Sequence, residues 1–134
     1  MADPKTTNRP LSPHLQIYRP MLTMMMSIAH RITGVALYFG TLMLVWWLAA
    51  AAMGPGSYGF VQEVYGSILG RLVLIGFTWA LLHHMLGGIR HLIWDSGRGF
   101  DLKTVEWLAR ANLALGIALT LIVWIIGYWM RSRA

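Results

Sequence analysis

Three stretches of the chain carry no charged residue: Ile32 to Met53, Leu72 to Ile89 and Ala111 to Met130, each flanked by arginine on at least one side. A helix needs about 20 apolar residues to cross a hydrocarbon core of about 30 Å, so each stretch predicts a membrane span, the middle one the shortest. Helices are expected at about residues 24–53, 65–94 and 104–131. Ahead of them, Pro4, Pro10, Pro13 and Pro20 interrupt helical hydrogen bonding, which predicts an irregular segment over residues 1–20 and a transmembrane domain over 21–134. The expected fold class is an all-α membrane protein whose three helices pack in a bundle.

Composition agrees with that pattern: 57% of residues are hydrophobic and only 12% charged, outside the range of soluble domains. A net charge of +6 would suit nucleic acid in a soluble protein, but here nine of the eleven basic residues are arginines near the ends of the spans. Lys5, Arg9, Arg19 and Arg31 precede the first span, and Arg90, Arg98, Lys103 and Arg110 occupy the second connection; Arg71, Arg131 and Arg133 lie at the opposite side. The excess predicts a cytoplasmic N-terminus and an external C-terminus, with Arg131 and Arg133 dissenting. There is no cysteine, so a metal held by this chain would rest on histidine or carboxylate. The opening "MADPKTTNRPLSPH" has an acidic residue and no apolar core, which predicts neither a cleaved signal nor a transit peptide.

The start of the first helix and the end of the second lie at one membrane face, so their polar residues can converge. Ser27, His30, Arg31 and Gly34 fall at i, i+3, i+4 and i+7 on the first helix, and His84, Gly88 and His91 repeat that spacing on the second, with Gly87 beside them. His84 precedes Arg90 by six residues and should lie about 9 Å deeper, whereas His30 and His91 are expected near the interface. An ionisable residue at depth needs a partner and usually marks a function. One reading makes His84 a neutral imidazole bonded to a neighbouring helix. The other, favoured by the room that Gly87 and Gly88 leave beside it, makes it a ligand of haem iron. A second axial ligand is not offered by this chain: His30 and His91 are expected too near the surface, and His83 points about 100° round the helix. That leaves a five-coordinate haem or a ligand from a second membrane chain, and three short helices enclose a porphyrin poorly, which favours the second chain.

His30, Arg31 and His91 could hold haem propionates, with snorkelling to lipid phosphate as the alternative. Ser27 and Arg31 present a hydroxyl and a fork of donors that would suit a quinone carbonyl, although a serine and an arginine at a helix start also serve as cap and anchor. Asn112, Gly116, Thr120 and Gly127 on the third helix read as a packing face, and Trp46, Trp47, Trp124, Tyr128 and Trp129 as an aromatic belt.

Two blocks carry a family resemblance. "RPLSPHLQIYRPMLTMMMSIAHRIT", Arg9 to Thr33, and "HMLGGIRHLIWDSG", His84 to Gly97, resemble the signatures of the cytochrome b membrane-anchor family of succinate dehydrogenase, respiratory complex II. The resemblance implies that His84 is an axial ligand of one haem b shared with a second anchor subunit, and that Ser27 and Arg31 line a site where ubiquinone is reduced. It implies an iron–sulfur subunit and a flavoprotein subunit as partners, the latter binding succinate, so that this chain is an enzyme subunit without a dicarboxylate site. Asp95 is expected to support Arg90 or His91 or to meet the iron–sulfur subunit. The expected setting is a bacterial inner membrane, the C-terminus periplasmic, with lipid and not nucleic acid as surroundings. Two rivals stay open: a fumarate reductase anchor, and a haem-free structural or assembly subunit.

Overall fold

The computed structural model describes Pro10 and residues 12–133. A single turn, α1 (His14–Ile17), precedes the long helix α2 (Leu22–Met53); then come α3 (Pro55–Gly66), α4 (Ile68–Asp95) and α5 (Leu102–Arg131). The helices α2, α4 and α5 are each long and apolar enough to cross a membrane. Their 32, 28 and 30 residues correspond to about 42–48 Å, so the ends pass beyond the hydrocarbon into the headgroups. The three spans therefore stand as expected, within a few residues at each end. Of the irregular N-terminal segment, residues 1–9 and Leu11 lie outside the described residues, and His14–Ile17 form a turn of helix rather than irregular chain.

The first connection differs from expectation. Residues 65 and 66, assigned to the second span, instead end a separate helix, α3. Gly54 is the cause: its φ of 111° ends α2 in a conformation that side chains resist. Pro55 then starts α3 at the first helical position, where its missing N–H costs nothing. Ser67 stops α3 and caps α4 by accepting the Gly70 N–H at 3.0 Å. Helix α3 folds back on α2, with Val61 buried and the Tyr65 hydroxyl donating to the Met43 carbonyl at 2.7 Å. At the other end, positive φ at Gly97 and Gly99 turns the chain into α5, and Asp101 caps it by accepting the Thr104 N–H at 2.9 Å. That hydrogen bond holds the exposed Asp101 carboxyl below its ordinary pKa, so the cap persists at neutral pH and is lost only as pH falls through the lowered value.

The packing register shows that neighbouring spans run antiparallel. His30 meets Gly87, Gly34 meets His84 and Gly40 meets Phe77, one index rising as the other falls; Gly116 meets His83 and Trp124 meets Thr78 in the same sense. The buried seams consist of small and polar residues: Met26, Thr33 and Gly40 on α2; Ala80, His83, Gly87 and Arg90 on α4; Ala109, Asn112, Gly116 and Thr120 on α5. Large apolar side chains such as Leu42, Leu72, Leu121 and Ile125 point outward. This is the distribution of a bundle whose solvent is lipid or another apolar chain, where close backbone approach replaces water exclusion as the attraction between helices. A Cβ on Gly40 would strike the Phe77 ring, whereas one on Gly76 meets nothing within 4 Å. Gly40→Ala should therefore destabilise the protein by about 1–3 kcal/mol, while Gly76→Ala, which gains helix propensity without a clash, should not lower the unfolding temperature. Thermal unfolding in detergent compares the two.

Candidate functional site

The polar residues of α2 and α4 meet at the end of the bundle nearest the α4–α5 turn. Antiparallel packing sets the His30 and His84 rings face to face, with centroids 3.9 Å apart and planes 7° from parallel. The His30 ring fills the notch left by Gly87, and the His84 ring lies over Gly34, where a Cβ would come within 3.0 Å of its Cε1. His84 Nδ1 lies 3.0 Å from the His30 carbonyl oxygen and 3.3 Å from Thr33 Oγ1. A carbonyl only accepts, so Nδ1 carries the proton and Nε2 carries the lone pair. Thr33, buried, donates its own hydroxyl to the Ala29 and His30 carbonyls, each at 2.9 Å, and buttresses that edge. His84 Nε2 has no hydrogen-bond partner among the described residues, and a Cβ on the neighbouring Gly88 would meet nothing within 4 Å.

Depth does not separate His30 from His84 as expected, since their rings stack at one level. Two imidazoles stacked at van der Waals distance leave no room for a metal between their nitrogens. No group of three or more metal-ligating side chains occurs among the described residues. Gly87 and Gly88 also divide their roles. The seam position Gly87 receives His30, the close-packing role of a small residue, and only Gly88 borders open space.

His91 is exposed, its ring 5.3 Å from that of His30 and edge-on to Trp94. Ser27 and Arg31 are exposed one turn apart on α2, and neither side chain forms a hydrogen bond among the described residues. Asp95 is exposed too and forms no ion pair with Arg90 or His91; the one ion pair among the described residues joins Arg110 and Glu106. A five-residue offset turns Asp95 about 140° away from Arg90. Arg90 is instead turned into the seam, 5% exposed, with its guanidinium 5.1 Å from the Trp94 ring.

The most buried histidine is His83, at 1% exposure, and its site was not foreseen. It stacks on Trp79, packs against Gly116 and meets Asn112, whose Nδ2 lies 3.1 Å from His83 Nδ1 and 3.4 Å from its carbonyl. The signal lay in the buried residues Ala80, His83, Gly87 and Arg90, which repeat with helical spacing on α4, and in Asn112 and Gly116 on α5, which meet His83 across the α4–α5 seam. The α5 packing face is as expected at Asn112, Gly116 and Thr120; Gly127 is exposed.

The model of the succinate dehydrogenase/fumarate reductase transmembrane subunit family matches residues 5–126. The succinate dehydrogenase cytochrome b556 subunit of Paracoccus denitrificans is 42% identical over 126 residues, which cover 94% of this chain and 97% of that protein. The cytochrome b556 subunit of Rickettsia prowazekii is 38% identical over 87% of this chain and 91% of its own length. The cytochrome b560 subunit of Reclinomonas americana is 35% identical over 89% and 86%.

The His83–Asn112 pair gives a prediction of its own. Asn112→Ala strands the buried His83 Nδ1 and should cost about 1–2 kcal/mol, above the ~0.6 kcal/mol average of membrane interhelical hydrogen bonds. Replacing both residues by leucine removes the polar atoms together and should recover much of that loss. Thermal unfolding of the single and double variants tests it: strictly additive losses would mean that the two side chains do not act as a pair.

Proposed function

The chain belongs to the succinate dehydrogenase/fumarate reductase transmembrane subunit family, and from that premise we propose that it anchors succinate dehydrogenase in the membrane, grips haem b together with a second anchor subunit, and forms part of a ubiquinone-reduction site. One observation carries the reading: His84 Nδ1 lies 3.0 Å from the His30 carbonyl oxygen and donates to it, which leaves Nε2, without a partner among the described residues, with a lone pair available to a metal. The Thr33 hydroxyl and the stacked His30 ring keep the imidazole from turning, so the ligand direction is set before any partner arrives. The bound haem b would supply one-electron redox chemistry. A companion subunit would complete the hold on the haem, since His30, the nearest imidazole in this chain, is stacked on His84 rather than opposed to it.

The exposed His91 and Arg31, with His30 beside them, would neutralise haem propionates. Reduction places negative charge on the quinone oxygens, and the guanidinium of Arg31 with the Ser27 hydroxyl, exposed on one face of α2, would stabilise that charge as it develops. This end of the bundle faces the cytoplasm of a bacterial inner membrane, as the arginine excess implies, so protons and the iron–sulfur subunit lie on the same side. Succinate is oxidised on the flavoprotein, and electrons leave through quinone.

His84→Ala should remove the b-type bands from the optical spectrum of the purified complex; bands of unchanged intensity and position would refute the ligand assignment. Arg31→Ala should lower succinate–quinone turnover by about 10²–10³-fold while sparing succinate oxidation by a soluble dye acceptor. Equal loss of both activities would point instead to failed assembly.

A further inference from the structure

At the end of the bundle opposite the histidines, α3, α4 and α5 enclose an open cavity of about 780 Å³. Its chemistry is graded. Arg71, near the start of α4, and Arg131, at the end of α5, stand at the mouth. Leu74 and Thr78 on α4, and Val123 and Trp124 on α5, line it 3–8 residues further in, about 5–12 Å deeper along the helices. The polar atoms of that inner wall are spent within the protein: Thr78 donates to the Leu74 carbonyl at 2.8 Å and Trp124 Nε1 donates to Thr78 at 3.3 Å. The mouth is unspent, since neither arginine has a carboxylate partner among the described residues. Gly66 and Gly127 keep the space clear, because a Cβ on either would meet nothing within 4 Å.

We propose that this cavity is a resident site for an anionic phospholipid of the leaflet at that end, its phosphate held between Arg71 and Arg131 and an acyl chain lying in the groove of α4 and α5. A fork of donors above an apolar slot matches an amphiphile; a free phosphate would use the mouth and leave the slot in contact with water. The site also accounts for Arg131, which runs against the bias that otherwise gathers positive charge at the other face. It rests on the membrane-spanning fold alone and not on the haem or quinone assignments.

The test is the phospholipid retained by the whole complex, purified through extensive detergent washing and analysed by mass spectrometry, then titrated with phosphatidylglycerol or phosphatidylcholine in mixed micelles. Wild type should retain about one anionic phospholipid per copy of this chain and rebind phosphatidylglycerol in preference to phosphatidylcholine. The pair Arg71→Gln and Arg131→Gln should weaken rebinding about 30-fold, or ~2 kcal/mol at ~1 kcal/mol per cation. Gly127→Leu, which fills the slot and leaves both charges, should weaken it as well and serves where the double variant fails to assemble. Arg110→Gln, at the other end, should change nothing. Equal retention in wild type and Gly127→Leu, equal rebinding of the two lipids, or displacement of the lipid by millimolar inorganic phosphate would overturn the proposal.

Discussion

A single interhelical hydrogen bond, from His84 Nδ1 to the carbonyl of His30, organises the histidine end of this bundle. A helix carbonyl spends one lone pair on its own helix, and at His30 the Thr33 hydroxyl also donates at 2.9 Å, so a further donor reaches that oxygen only by coming very close. Two glycines permit that approach. Gly34 gives the His84 ring a floor without a side chain, and Gly87 gives the His30 ring a pocket on the facing helix. Helix spacing, ring orientation and tautomer thus follow in sequence from the absence of two Cβ atoms, and Nε2 of His84 is left without a hydrogen-bond partner among the described residues.

One residue of offset on α4 separates two kinds of work. His83 turns into the α4–α5 seam and is tied to Asn112; His84, about 100° round, turns toward α2. The inner seam also takes Arg90, whose charge is sheltered over Trp94 with no carboxylate beside it. Burying it is costly in lipid, and the cost is lowest near a helix end, where the headgroups are within reach of the long side chain.

The two ends of the bundle differ in chemistry. One gathers imidazoles and a serine–arginine pair on α2 and α4, and the other gathers arginines around an apolar slot between α4 and α5. Between them the exterior is almost wholly apolar, because the helices adhere through glycine, alanine and threonine and leave their large side chains for lipid or for a second anchor subunit.

The spans, their antiparallel order, and the packing face of α5 at Asn112, Gly116 and Thr120 are legible from the sequence, because charge-free length and helical spacing are properties of the chain itself. The separate helix α3 was less so, since the break depends on the backbone conformation of Gly54 and on a capping bond from Ser67. What only the tertiary structure decided is how residues of different helices meet: that His30 stacks on His84 rather than lying above it, that Gly87 and Gly88 serve different neighbours, that Arg90 turns inward and away from Asp95, and that His83 finds Asn112. Spacing along one helix fixes an angle about its own axis. The crossing of two helices, set by where their glycines let them touch, fixes which of those angles come face to face.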